Sequence, residues 1–249
     1  MSELSILEWH AQFVRQARWT QGIRNQLYRR ARLLRAIRVL DVGCGTGVIT
    51  HELAQRTRGT VTGLDHNRAM LEFAREHDVE AHYEWGNALQ LPYPDQHFEI
   101  VTCHLLLLWV QDPECAVNEM ARVTCRGGSV LICAEPDYGG RIDWPDLPIR
   151  EWQIEGLRRQ GADPLIGRQL RALTESAGLS AEIGIHPSLW DVEGLQENAE
   201  SEWKIIAHDM GPDLDKTDWE NARKQTQSAI ERGTRTTYIP TFYALGRKA

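Results

Sequence analysis

Apolar residues recur at helical spacing along the first 36 positions: Ile6, Trp9, Phe13 and Ala17, then Ile23, Leu27, Ala31 and Leu34. Such i, i+3, i+4 stripes mark one face of an amphipathic helix. Gly22 falls between the two stripes, and the pattern predicts that it separates two helices. From residue 37 to 135 the period changes, and short apolar runs alternate with helical stretches. Strands are expected near 38–42, 60–65, 79–84, 98–104 and 128–135. Strands that alternate with helices imply a parallel sheet covered on both faces. Past Glu135-Pro136-Asp137-Tyr138-Gly139-Gly140 the chain has turn chemistry. Helices are then expected at 147–161 and 166–177, the second ended by Gly178 as a cap. A sixth strand follows near 180–187. Residues 191–233 read as helical and polar, longer than an ordinary connection. Residues 236–246 are β-rich.

The densest signal is Val39-Leu40-Asp41-Val42-Gly43-Cys44-Gly45-Thr46-Gly47-Val48-Ile49. It is an apolar strand ending in a carboxylate, then three alternating glycines, then a helix start. A second strand, Thr60-Val61-Thr62-Gly63-Leu64-Asp65, ends in its own acid. Glycine lets the chain turn sharply and lets a ligand approach the backbone. An acid at the second strand tip can accept from both hydroxyls of a ribose. A dinucleotide fingerprint would need G-x-G-x-x-G, but its sixth position here is Val48. Asp41 would also repel a phosphate and suit an ammonium or sulfonium. The residues therefore point to S-adenosylmethionine (SAM) rather than NAD.

This stretch resembles motif I of the class I SAM-dependent methyltransferases. Gly63-Leu64-Asp65-His66-Asn67-Arg68-Ala69-Met70-Leu71 is similar to the family's acidic loop, and Gly86 to Val101 to its adenine-binding stretch and fourth strand. Glu119 to Val130 looks like the helix and turn before the fifth strand. The resemblance covers about residues 37 to 135, and the spacing most resembles the small-molecule branch that includes quinone-biosynthesis enzymes. Asn87 stands where an aspartate is common, Glu99 replaces an aspartate and Arg126 a proline.

The fold this implies is α/β: a Rossmann-like, seven-stranded, mostly parallel sheet. Its last strand would be antiparallel and slot between the fifth and sixth, with helices on both faces. Residues 1–36 would form an N-terminal helical cap, 37–190 and 234–249 the SAM-binding core, and 191–233 a helical lid. The resemblance implies that Asp41 faces the methionine ammonium, while Gly43, Cys44 and Gly45 line the methionine portion. Asp65 would hold the ribose, His66 would lie along the adenine, and Asn87 and Ala88 would read its edge. His104 follows the fourth strand, against the cofactor, and is the candidate general base. Trp19, Arg24 and Tyr138 are the candidate substrate residues, with Arg24 over the methionine carboxylate.

Composition narrows the setting. The 249 residues are 42% hydrophobic and 25% charged, as in ordinary soluble domains. The start has no basic or apolar leader pattern, and five cysteines without C-x-x-C spacing suit a reducing, cytoplasmic compartment. Residues 1–40 hold eight arginines against Glu3 and Glu8, about +6, so the remainder is about −13 of a net −7. We read the basic segment as a solvated helical face; the acidic bulk opposes nucleic-acid binding. Of nine tryptophans, only Trp85 and Trp109 fall in 37–135. The others lie where a cap and lid would cover the pocket, which suits an apolar or aromatic acceptor. His77 and His82 are spaced i, i+5 and share no helical face, and no metal site is expected. Amino-directed nucleic-acid methyltransferases carry Asn/Asp-Pro-Pro-aromatic after the fourth strand, where this chain has Cys103-His104-Leu105-Leu106. An RNA or protein methyltransferase and a non-catalytic SAM-binding module are the alternatives to a small-molecule methyltransferase.

Overall fold

A strand buried on both faces must be apolar on both, and β1 (Arg38–Val42) shows how this sheet is filled. Leu40 and Val42 point into one core, with Leu64, Val101, Val117, Met120 and Leu170. Val39 points into the other, with Leu27, Ile49, Leu53 and Leu131. Each such side chain contributes about 1.5–3 kcal/mol on full burial. The period of two also turns Asp41 toward the second face.

The computed structural model describes residues 4–187, 192–210 and 216–249. Trp190 and the expected 190/191 boundary lie outside them. After α1 (Ile6–Arg30) and β1 come α2 (Val48–Ala54), β2 (Thr60–Asp65), α3 (Arg68–His77), β3 (His82–Trp85), β4 (Phe98–Cys103), α4 (Pro113–Val123) and β5 (Thr124–Pro136). Then follow β6 (Ile142–Trp144), α5 (Ile149–Arg159), α6 (Leu170–Ser176), β7 (Leu179–Ile185), α7 (Val192–Met210), α8 (Lys216–Glu231), β8 (Thr236–Tyr238) and β9 (Thr241–Lys248). The main sheet has seven strands in the order β3-β2-β1-β4-β5-β9-β7. β9 runs antiparallel between β5 and β7, as expected for the last strand. β6 and β8 form a separate two-stranded sheet. Three-residue strands give no readable alternation, so the sequence showed only turn chemistry at β6.

Several helix starts follow from local chemistry. Ser5 and Glu8 make a reciprocal capping box on α1. Asn67 accepts from Ala69 and Met70 at the start of α3. Asp112 caps α4, with Pro113 in its first turn.

Gly22 does not separate two helices. α1 runs unbroken through it for 25 residues. The buried stripe continues as Ala17, Thr20, Arg24 and Leu27, so polar residues occupy the inner face where the apolar pattern lapses. The third strand begins at His82 rather than 79. β5 starts at Thr124, directly from α4, rather than at 128.

Gly22 is exposed, and a Cβ there would meet nothing within 4 Å. Gly22→Ala should therefore raise the unfolding free energy by about 1 kcal/mol in urea denaturation. A loss of stability would mean the helix is interrupted there after all.

Candidate functional site

The sheet brings the cofactor candidates to one edge. Asp41 and Asp65 sit at or near the C-terminal ends of adjacent parallel strands, Asn87 just after β3, and His104 just after β4. Ligands of open α/β sheets bind in the crevice at this end. Gly43, Gly45 and Gly47 all have positive φ, and the Gly43 and Cys44 amides donate to Leu64 O at 2.7 and 3.1 Å. The loop is thereby folded back over β2. Asp65 accepts from the Gly45 amide and the Asn67 amide, both at 2.8 Å. Asp41 accepts from Thr50 Oγ1 at 2.6 Å. It is buried, and burial pushes its pKa up to about 7. Burial also pushes the Cys44 thiol well up, so it lines the loop as a neutral group.

His66 is exposed, with Nδ1 3.5 Å from Asp65 Oδ1. Its carbonyl accepts from Trp85 Nε1 at 3.0 Å, and Arg68 lies over the Trp85 ring at 4.7 Å. Asn87 Oδ1 accepts from the Leu89 amide at 2.9 Å, and Ala88 beside it is half-buried. This donor set fits SAM. A buried carboxylate stands at the end of β1, a second at the end of β2 is hydrogen-bonded to the loop, and positive-φ glycines lie between them.

Sequence reasoning missed how closely α1 covers this loop. His10 Nδ1 is 2.9 Å from Thr46 Oγ1, and a Cβ on Gly45 would come 3.0 Å from Phe13. Phe13 was visible only as one member of a core stripe.

Under α1, the helix that also touches the loop, lies a cavity of about 230 Å³, walled by α1, α5, α7, β8 and the segments after β4, β5 and β7. Trp19 and Tyr138 line it, with Thr20, Leu105 and His186. His104 reaches it only through Thr20, its Nε2 2.8 Å from Thr20 Oγ1. Burial, then Arg24 and His186, hold the His104 imidazole well below its usual pKa, so it is neutral. Arg24 corrects an expectation. It is fully buried, donating to Ala17 O at 2.6 Å, to Thr20 Oγ1 and to Glu52 at 2.5 Å. Both terminal nitrogens serve α1 and α2, and the residue lies outside the cavity wall.

The segment after β4 is held by a residue whose role the sequence left open. Glu135 is fully buried at the end of β5 and accepts from the Leu106, Leu107 and Leu108 amides at 2.9, 2.8 and 3.3 Å. Burial pushes its pKa up to about 7 against the opposing pull of those three donors. Asp137, by contrast, pairs with Arg168 at 2.7 Å. Leu105 takes φ 55° to make this turn, and Leu106 lies against Gly43.

The outer wall rests on buried charge. Arg141 donates to Asp143 at 2.6 Å, to Gln153 at 2.6 Å and to Glu202 at 2.8 Å. Arg235 donates to Asp143 at 2.7 Å. Asp209, also buried, accepts from Gln153 at 2.8 Å. Beneath, Leu147, Ile149, Trp203, Ile206 and Met210 form a separate apolar core with Trp152 and Trp219. β6, α5, α7 and β8 are thus tied together by one network. Next to Gly47, His51, Asp78 and Glu80 bring ligand atoms within 4.8 Å of one another, a grouping that sequence spacing did not suggest. Asp78 there is already engaged by Tyr83 and His51.

Residues 40–132 match the family of methyltransferase domains. A methyltransferase of Schizosaccharomyces pombe, itself uncharacterised, is 32% identical over 166 residues, covering 61% of this chain and 59% of the relative. A ubiquinone biosynthesis O-methyltransferase of Alkalilimnicola ehrlichii is 39% identical over 100 residues, covering 38% and 40%. The chain therefore spans about three-fifths or less of the length of these relatives. Among solved structures, the 4+2 cyclase SpnF superposes with a TM-score of 0.60 at 20% identity, over 91% of this chain and 80% of that one. That likeness shows the fold alone.

Two substitutions test the supports of the site. Glu135→Ala orphans three amides and should cost about 3 kcal/mol or more in denaturant unfolding; a cost under 1 kcal/mol would show that the segment stands without it. Asp143→Ala leaves two buried guanidinium groups facing each other and should cost about 3–5 kcal/mol by the same measurement, with Asp143→Asn milder.

Proposed function

We propose that this chain, whose residues 40–132 match methyltransferase domains, is a class I enzyme that transfers a methyl group from SAM to a small-molecule acceptor held in the cavity under α1. The observation that carries this reading is the placement of two carboxylates on either side of a positive-φ glycine loop, with a mostly apolar cavity under α1. When bound, SAM supplies an electrophilic methyl on a sulfonium. The chain's part is position, desolvation and handling of a proton.

In this reading Asp41 faces the methionine ammonium, and Gly43, Cys44 and Gly45 border the methionine portion. Asp65 accepts from the ribose hydroxyls while keeping its bonds to the loop. His66, Asn87 and Ala88 border the adenine, and His104 closes the cofactor side. Trp19 and Tyr138 meet the acceptor. Residues 1–36 act as cap and 191–233 as lid, with α5, β6 and β8 bracing the lid. The names of the O-methyltransferase relatives and the apolar lining support a small acceptor. The five cysteines, all free, support a reducing, cytoplasmic setting. Among the described residues no helix is long and apolar enough to cross a membrane.

Calorimetric titration with S-adenosylhomocysteine tests this directly. The wild type should bind saturably, and Asp65→Asn at least tenfold more weakly. Because Asp41 ionises near pH 7 in the free protein and must be ionised to face an ammonium, affinity should rise with pH through about 7 and level off above it. Asp41→Asn should flatten that rise. Binding of NAD in place of S-adenosylhomocysteine would sink the reading.

A further inference from the structure

Two histidines stand near the acceptor cavity, and their nitrogens are differently occupied. His104 Nε2 is engaged with Thr20 Oγ1, which itself accepts from Arg24. His186, just past β7, is in the cavity wall and 5% exposed. Its Nε2 lies 2.8 Å from Cys133 O. A carbonyl oxygen can only accept, so Nε2 holds the ring proton. In a neutral imidazole the other nitrogen is then a lone-pair acceptor. Nδ1 has no partner among the described residues, yet it is not one of their sealed, unpartnered polar atoms. The ring itself stands in the cavity wall.

The ring is held in place. Its own amide donates to Thr241 O at 2.8 Å, and its edge packs on Tyr243 at 5.6 Å. The titratable and charged groups around it are Arg24 from α1, His104 after β4, Cys133 on β5 and Tyr243 on β9. Burial and Arg24 hold His186 below its ordinary pKa despite the Cys133 bond. It is therefore deprotonated at neutral pH.

The wall also says what kind of nucleophile fits. Trp19, Leu105, Ile206 and Ile239 make it largely apolar. Glu202 is the one carboxylate among its described residues, and it is committed to Arg141 and Arg235. A protonated amine would find no free counter-charge there, whereas a neutral hydroxyl would find a lone pair.

We propose that His186 Nδ1 takes the proton of a hydroxyl on a neutral, largely apolar acceptor. This rests on the methyl-transfer reading. The hydroxyl oxygen forms the new O–CH3 bond as the S–CH3 bond breaks, and that electron pair stays on sulfur. The hydroxyl proton moves to Nδ1, and the imidazolium returns it to water. Cys133 O holds the ring by its other nitrogen throughout, and it stabilises the charge that forms.

The test uses the full chain, ¹⁵N-labelled at histidine and loaded with S-adenosylhomocysteine, with 2-naphthol as probe. NMR should show His186 protonated at Nε2 alone, with the Nδ1 resonance moving on addition of naphthol. His186→Gln keeps a donor in reach of Cys133 O and loses the second ring nitrogen. It should bind S-adenosylhomocysteine as the wild type does and naphthol at least tenfold more weakly. Labelled-methyl transfer to naphthol should fall about a hundredfold or more, with the ascending limb of the pH profile lost. A proton on Nδ1, an unmoved Nδ1 resonance, or equal naphthol binding by both proteins overturns the proposal and leaves the cofactor reading intact. Failure of the wild type to bind S-adenosylhomocysteine removes both.

Discussion

One buried carboxylate decides where the two halves of the site stand. Glu135 lies one residue before the end of β5 and collects three consecutive backbone amides from the segment after β4. No water reaches it, so those donors and that acceptor must satisfy each other. The result fixes Leu105 in the cavity wall and Leu106 against Gly43. The same side chain thus fixes one wall of the cavity and the backing of the glycine loop. Burial penalises its charge more than the three amides relieve it, which pushes its pKa up.

Much of the fold was legible because it is built from repetition. Two-sided apolar strands and glycine punctuation gave β1, β2 and β4 nearly to the residue, and the two acids fell at strand ends as read. The failures have a common cause. Thr20 and Arg24 are polar residues on the inner face of α1, so the apolar stripe lapsed and one helix read as two. Arg24 looked like a ligand group because charge suggests solvent or substrate, but its partner Glu52 lies 28 positions away. Only the packing of α1 on α2 brings the two together. His186 and Glu135 likewise gain meaning from Cys133 and from residues 106–108, partners that no local spacing reveals.

The outer wall follows a different logic from the sheet. Arg141, Arg235, Asp143 and Glu202 are almost or largely withdrawn from water, and their charges balance. Such a network adds less net stability than apolar packing of equal volume would. It is nevertheless directional, and it specifies how β6, α5, α7 and β8 meet around the cavity. The tryptophans divide along the same line. Trp203 and Trp219 pack edge to face beneath the network at 4.7 Å, while Trp19 lines the cavity.

The single helix α1 roofs both compartments. Its first half touches the glycine loop through His10 and Phe13, and its second half walls the cavity through Gln16, Trp19 and Thr20. As one unbroken helix of 25 residues, α1 is a continuous rod. The two compartments therefore do not have independent doors. Displacing the rod to exchange one ligand disturbs the enclosure of the other, which favours a fixed sequence of arrivals and departures over random exchange.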